Sequence, residues 1–177
     1  ASTFGTLALT GANVAVTDAG AVDLGASTVS GTLGITSAGA VTDSGTLAIT
    51  GATTISASGQ DITLDESAST FGTLALTGAN VAVTDAGAVD LGASTVSGTL
   101  GITSAGAVTD SGTLAITGAT TISASGQDIT LDESASTFGT LALTGANVAV
   151  TDAGAVDLGA STVSGTLGIT SAGAVTD

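Results

Sequence analysis

The chain has 177 residues and a formal net charge of −15, because it contains 15 Asp and Glu residues and no Lys, Arg or His. A surface without positive charge has nothing to meet a phosphate backbone, which argues against nucleic-acid binding. Cys and Tyr are absent as well, so that only carboxylates and hydroxyls remain as acids, bases or nucleophiles, and we predict that the chain is not an enzyme.

The remaining composition predicts an ordered protein with a narrow interior. Hydrophobic residues make up 43% of the chain, which is too many for a disordered polymer. Many of the residues are small, including 27 Gly, and small residues fill tight corners and a thin core. The longest uncharged runs, such as Leu24–Thr42, are interrupted by Gly, Ser and Thr, so we predict no membrane span.

The sequence repeats itself with a period of 67 residues. Residues 1–67 recur unchanged as residues 68–134, and residues 135–177 repeat the first 43 positions. We interpret these as two full repeats and one partial repeat of a single continuous array. Asp177 matches Asp43, and neither end carries a polar capping segment, so we expect the array to extend into a longer protein.

Each repeat contains nine segments of strand length. Their large apolar residues stand two apart or singly, and this spacing places them on one face of a strand. Glycines such as Gly11 and Gly20 mark corners between the segments. The segments, with their inward residues, are Gly5–Thr10 (Leu7, Leu9), Asn13–Thr17 (Val14, Val16), Ala21–Leu24 (Val22, Leu24), Ser27–Ser30 (Val29), Gly31–Ser37 (Leu33, Ile35), Ala38–Ser44 (Val41), Gly45–Thr50 (Leu47, Ile49), Gly51–Ala57 (Ile55) and Ser58–Phe71 (Ile62, Leu64, Phe71).

Nine short strands with Gly-rich corners and no helical periodicity predict an all-β fold, a right-handed parallel β-solenoid with three sides. We expect about three rungs per repeat, so that copies 67 residues apart share one face; four rungs of about 17 residues would also divide the period. The phrases at Gly31 and Gly45 are too close to lie on one face. Tandem β-sandwich domains are the alternative, but 67 residues and so few aromatics make a poor sandwich core.

Phe4, Phe71 and Phe138 are one position of the repeat and the only aromatic residues. A large ring among small residues is best accommodated inside. We therefore predict that each Phe fills a wide corner of the interior.

The acidic residues come from six positions of the repeat: Asp18, Asp23, Asp43, Asp61, Asp65 and Glu66. We interpret them mainly as a solvated acidic rim. The closest cluster favours weak binding of Ca²⁺ or Mg²⁺, because these ions prefer oxygen ligands, although the calcium-binding nonapeptide G-G-x-G-x-D is absent. The candidate metal ligands are Asp61, Asp65, Glu66 and their copies Asp128, Asp132 and Glu133. No other cofactor is expected.

Two sequence runs carry a resemblance to a known family. Gly31–Leu64 and Ala68–Gly98 resemble repeat regions of bacterial filamentous-haemagglutinin-type exoproteins, which are giant proteins often exported by two-partner secretion. The amino-terminal secretion domain of that family, with its Asn-Pro-Asn motifs, has no counterpart in this chain, which lacks Pro. The resemblance implies an extracellular or cell-surface location in a bacterium, and a filament that serves adhesion, a biofilm matrix or a sheath.

The expected partners are other copies of the chain or neighbouring rods, with surface polysaccharide as a second possibility. A solenoid that grips a polysaccharide along one Asp and Thr face is the competing hypothesis. Ice binding by a flat Thr array is a further alternative. It would need outward Thr-x-Thr pairs on successive rungs, and the repeat contains only Thr53-Thr54.

Overall fold

The computed structural model describes residues 2–177, and this part of the chain folds into β-strands and corners without a helix. The strands are short because each ends where the chain turns a corner. In chain order they are β1 (Thr6–Leu7), β2 (Thr10–Gly11), β3 (Val14–Asp18), β4 (Val22–Leu24), β5 (Ser27–Val29), β6 (Leu33–Ser37), β7 (Val41–Asp43), β8 (Leu47–Ile49), β9 (Thr53–Ser56), β10 (Ile62–Leu64), β11 (Thr73–Gly78), β12 (Val81–Asp85), β13 (Val89–Leu91), β14 (Ser94–Val96), β15 (Leu100–Ser104), β16 (Val108–Asp110), β17 (Leu114–Ile116), β18 (Thr120–Ser123), β19 (Ile129–Leu131), β20 (Thr140–Gly145), β21 (Val148–Asp152), β22 (Val156–Leu158), β23 (Thr162–Val163), β24 (Leu167–Ser171) and β25 (Val175–Thr176).

Every strand pairs in parallel with the strand one turn away. Paired residues are 17 positions apart for Thr6 and Asp23, 19 for Val14 and Leu33, and 21 for Thr53 and Leu74. These offsets give a β-solenoid of about nine turns, which confirms the predicted fold class. At about 4.8 Å per turn the stack is about 43 Å long.

The turns have three sides, as predicted. Two sheets of 11 strands run the length of the stack, and a third sheet of three strands, β2, β5 and β8, covers the remaining side of the first turns. We call the sheet that contains β4 and β12 the first long sheet, and the one that contains β3 and β13 the second long sheet. The phrases at Gly31 and Gly45 form β6 and β8, which lie in different sheets as predicted.

Two of the three sides of a turn form together one bent side, which lies opposite the flat third side. The six-residue strand β11 pairs with both β13 and β14 on the next turn, through Leu74 with Leu91 and through Thr77 with Thr95. One straight strand therefore spans two shorter strands that meet at the buried Gly92. The bent side of each turn is such a pair of short strands, and the flat side is a single longer strand.

Successive copies of the repeat lie on alternate sides of the solenoid. The segment VAVTD forms β3 in the second long sheet, β12 in the first and β21 in the second again. A repeat is thus three and a half turns of about 19 residues, and the prediction that copies share one face is wrong. The physical reason is that β11 and β12 complete a turn with two straight strands, so the nine strands do not divide into turns of three.

The interior contains the residues that the alternation predicts. The inward Leu, Ile and Val side chains of the middle turns form one buried cluster, in which Phe71 and Phe138 are 7% and 6% exposed. This confirms the predicted interior position of Phe for two of the three copies. Phe4 is 43% exposed, because it lies on the first described turn, which has a neighbouring turn on one side alone. A search of residues 2–177 for an apolar helix of membrane-spanning length finds none.

Candidate functional site

The outer surface is the candidate site, since no pocket opens anywhere in residues 2–177. Outward residues on the flat sides differ from those on the bent sides.

The flat sides carry small and hydroxyl-bearing side chains without charge. Thr17, Thr36, Ser56 and Thr77 stack in one column through the pairing of β3, β6, β9 and β11. A second column beside it contains Ala15, Gly34, Thr54 and Ala75. We call these eight residues the hydroxyl band; its second copy comprises Ala82, Thr84, Gly101, Thr103, Thr121, Ser123, Ala142 and Thr144.

The bent sides carry most of the carboxylates. Asp23 lies on β4, Asp43 ends β7, and Asp61, Asp65 and Glu66 flank β10, all at the first long sheet. We call these five residues the acidic band. Its second copy lies at β13, β16 and β19 of the second long sheet and comprises Asp90, Asp110, Asp128, Asp132 and Glu133.

The two bands alternate along each side and are out of phase across the solenoid. The first long sheet presents the acidic band at β4, β7 and β10, and then the hydroxyl band at β12, β15, β18 and β20. The second long sheet presents the hydroxyl band at β3, β6, β9 and β11, and then the acidic band at β13, β16 and β19. Most turns therefore have hydroxyls on one side and carboxylates on the other; the exceptions are the turns that β11 completes with β12 and β20 with β21, which carry hydroxyls on both sides.

Asp23 is held by hydroxyls from the turns on both sides of it. Thr6 and Ser44 each donate a hydrogen bond of 2.7 Å from their Oγ atoms to its Oδ2. These hydroxyls, Thr6 first, lower the pKa of Asp23. Asp90 accepts equivalent hydrogen bonds from Thr73 and Ser111. Each of these two Asp residues thus links three turns.

Asp43 instead accepts hydrogen bonds from the backbone of the next turn. The N–H of Asp65 donates to its Oδ1 at 2.9 Å, and the N–H of Glu66 donates to its Oδ2 at 3.4 Å. Burial raises the pKa of Asp43, and repulsion from the Asp65 and Glu66 carboxylates acts in the same direction. Asp110 repeats these contacts, and its pKa is raised for the same reasons.

Asp61 belongs to a separate hydrogen-bonded ladder at a corner. Its Oδ1 accepts from the backbone N–H and the Nδ2 of Asn80, at 3.1 and 2.9 Å. The Oδ1 of Asn80 in turn accepts from the N–H of Thr99, one turn further on, at 3.1 Å. Asp128 and Asn147 form the same contacts in the next copy.

The predicted solvated rim is wrong at Asp18 and its copies Asp85 and Asp152, which are buried, and at Asp110, which is 9% exposed. Asp85 is 2% exposed and accepts from the N–H of Phe71 at 2.9 Å and from the N–H of Gly87 at 2.6 Å. Burial raises the pKa of Asp85 although both N–H groups favour its charged form. The sequence signal was the spacing Asp-Ala-Gly, since an Asp two residues before a Gly can accept from that backbone and form an Asx turn.

The six predicted metal ligands fall into two places. Asp65 and Glu66 follow β10 and gather around Asp43, whereas Asp61 precedes β10 and is bonded to Asn80. Asp132, Glu133 and Asp128 repeat this arrangement. Over residues 2–177 the geometry offers no group of three or more Asp and Glu residues able to hold a metal ion. Asp43 and Asn80 are the partners of these residues, and their sequence positions alone do not indicate this role.

One family model matches the chain three times in succession. It is described as repeats of unknown function (DUF5649), and it covers residues 11–77, 78–144 and 145–177. The first two matches have the 67-residue period, counted from a different starting point. No curated protein and no solved structure matches the chain.

Proposed function

We propose a mechanical, non-catalytic function for this chain, which belongs to the DUF5649 family of repeats. The chain would be part of a stiff acidic fibre or stalk at a bacterial surface, serving adhesion, a matrix or a sheath. The resemblance to haemagglutinin-type exoproteins supports the extracellular location. No enzymatic role and no resident cofactor enter this proposal.

The observation that carries the proposal is the unbroken ladder of parallel pairing along about nine turns. Each turn rests on the one before it. Hydrogen bonds accepted by the side chains of Asp23, Asn80 and Asp90 also join neighbouring turns. Bending such a rod requires many of these bonds to lengthen together, and so the rod is stiff. Its length is proportional to the number of repeats, because identical units stack without a break.

The carboxylates give this rod its solubility. All its charges are negative, so the rods repel one another at low ionic strength and stay dispersed. The core needs little material, since a few Leu, Ile and Val side chains per turn and one aromatic per repeat fill it. A long fibre built this way uses few residues per unit of length, about 19 for each turn.

The experiment that tests the proposal measures length against repeat number. Chains with two, three and four copies are compared by small-angle X-ray scattering and by electron microscopy. We expect each added copy to lengthen the rod by about 17 Å, that is three and a half turns at about 4.8 Å. Beads joined by linkers, or a length that does not rise linearly, would refute the fibre.

A polysaccharide ligand is the second candidate, favoured by the outward hydroxyl column Thr17, Thr36, Ser56 and Thr77. Hydroxyls at a regular spacing can match the hydroxyls of an extended glycan. Retention on a glycan array, lost when Thr36 and Thr103 are both changed to Val, would support this function. The absence of retention on every glycan would end it.

A further inference from the structure

We infer that the alternating bands form a self-complementary surface, through which a second copy of this chain packs side by side, in the same direction and in axial register. This inference rests on the proposed fibre function and specifies its partner. Within every turn except those that β11 completes with β12 and β20 with β21, one long sheet presents hydroxyls and the other presents carboxylates. A sideways translation of the rod therefore places each acidic band of one copy against a hydroxyl band of the next.

Charge determines the register of this packing. The chain has no positive charge, and so a carboxylate on a neighbouring rod can be met only by a neutral donor. At zero axial shift the hydroxyls of Thr84, Thr103 and Ser123 face the band that contains Asp90 and the exposed Asp128. A shift of one repeat, three and a half turns, places carboxylates against carboxylates, and like charges in apposition disfavour it.

The area of one side is sufficient for a weak but specific contact. Nine turns at about 4.8 Å and a strand of five to six residues at about 3.3 Å each give a side of about 800 Å². This is about the area that each partner buries in an interface of standard size, about 800 Å². A longer array adds equivalent contacts at every repeat, so that avidity rises with length. Because both sides of the rod carry the bands, the packing continues from rod to rod into a layer.

Two outward residues of the same turn report the register directly. Thr103 on β15 and Thr109 on β16 both lie two residues from the corner that joins these strands, on opposite sides of the rod. Sideways packing in register places Thr103 of one copy opposite Thr109 of the next. The natural chain has no Cys, so that single-cysteine variants are unambiguous.

The test mixes the variants Thr103→Cys and Thr109→Cys under mild oxidation, at low and at high ionic strength. We expect disulfide-linked dimers in the mixture, with more at high ionic strength, and few dimers with either variant alone. Dimers of Thr103→Cys alone as abundant as those of the mixture would overturn the inference. The absence of cross-links at any concentration would overturn it as well.

A matched pair of substitutions provides the second measurement. Thr103→Asp adds a charge to a hydroxyl band, whereas Thr109→Asp adds the same charge within an acidic band, and both side chains are exposed. We expect Thr103→Asp to lower light scattering by associated rods several-fold more than Thr109→Asp does. Equal effects would contradict the complementarity of the bands. Rods that lengthen with repeat number but never associate would refute this inference and leave the fibre intact.

Discussion

Thr36 and Thr103 occupy the same position of the repeat, and they lie on opposite sides of the solenoid. Thr36 is on β6 in the second long sheet, and Thr103 is on β15 in the first long sheet. The repeat contains an odd number of half-turns, so each copy is turned to the other side. This relationship places hydroxyl and acidic bands alternately on both sides of the rod.

The buried hydroxyl of Thr120 should cost stability. Thr120 is 0% exposed, is paired between Leu100 and Leu141, and its Oγ1 has no hydrogen-bond partner, as is also true of Thr53. We expect Thr120→Val to raise the free energy of unfolding by about 1 kcal/mol, because it removes an unsatisfied buried polar group. Guanidinium unfolding measures the effect.

The control for this substitution is the next residue, Thr121, whose side chain points outward. We expect Thr121→Val to change the free energy of unfolding by less than about 0.5 kcal/mol. A loss of stability in Thr120→Val, or an effect equal to that of the control, would show that the Thr120 hydroxyl is satisfied.

The buried carboxylate of Asp85 should be needed for the corner that it closes. In the natural chain the backbone N–H groups of Phe71 and Gly87 both donate to Asp85. An Asn at this position keeps one acceptor oxygen, but its side-chain N–H group then faces one of these two backbone N–H groups. We expect Asp85→Asn to lower the free energy of unfolding by about 1 to 3 kcal/mol. Asp90→Asn is the matched control, since the hydroxyls that donate to Asp90 are at the surface and can turn to water; its effect should stay below about 1 kcal/mol. Equal effects would contradict the role of Asp85.

Acid should stabilise this protein between neutral pH and pH 4. The pKa values of Asp43, Asp85 and Asp110 are raised above the ordinary 3.8, so the stability linked to these groups is full below that pH and is lost as the pH rises through their folded-state values. Asp23 opposes this trend, because its lowered pKa gives stability that is lost as the pH falls through its folded-state value. The three Asp residues with a raised pKa outnumber Asp23, and protonation also relieves repulsion among the carboxylates.

Denaturant midpoints of dilute protein at a series of pH values test this balance. We expect the midpoint to rise as the pH is lowered from 7 toward 4. It should rise less in Asp110→Asn, which has lost one of the three carboxyl groups with a raised pKa. A midpoint that falls steadily over this range would mean that hydrogen bonds to the charged carboxylates outweigh their burial.

Calcium should bind no more than weakly. Asp65 and Glu66, and their copies Asp132 and Glu133, have free carboxylates, but the backbone of each pair is bonded to a neighbouring Asp. We expect dissociation constants of about 1 mM, the range of weak extracellular oxygen sites. Titration calorimetry on the natural chain, and on a variant with all four residues changed to their amides, measures this. Micromolar binding, or binding that the four amides leave unchanged, would contradict the expectation.

The sequence was sufficient to predict the strands and the core, because alternation of Leu, Ile and Val identifies inward positions in a strand of any length. It was insufficient to count the turns. Whether Thr73–Gly78 bends into two strands or runs straight depends on the turns above and below it. Because it runs straight, a repeat contains an odd number of half-turns. Asp85 was missed as a buried residue for a related reason. Its burial depends on Phe71, 14 residues earlier, which the corner brings to it.

The claim that successive repeats lie on opposite sides of the solenoid is tested most directly by the distance between spin labels attached at Thr36→Cys and Thr103→Cys. Three and a half turns separate the two residues by about 17 Å along the axis, and labels on opposite sides of two sheets about 10 Å apart should lie about 30 Å from each other. The pair Thr103→Cys and Thr170→Cys, again one repeat apart, should give the same distance. A distance of about 14 to 19 Å for both pairs, as expected for three or four whole turns on one face, would contradict the account.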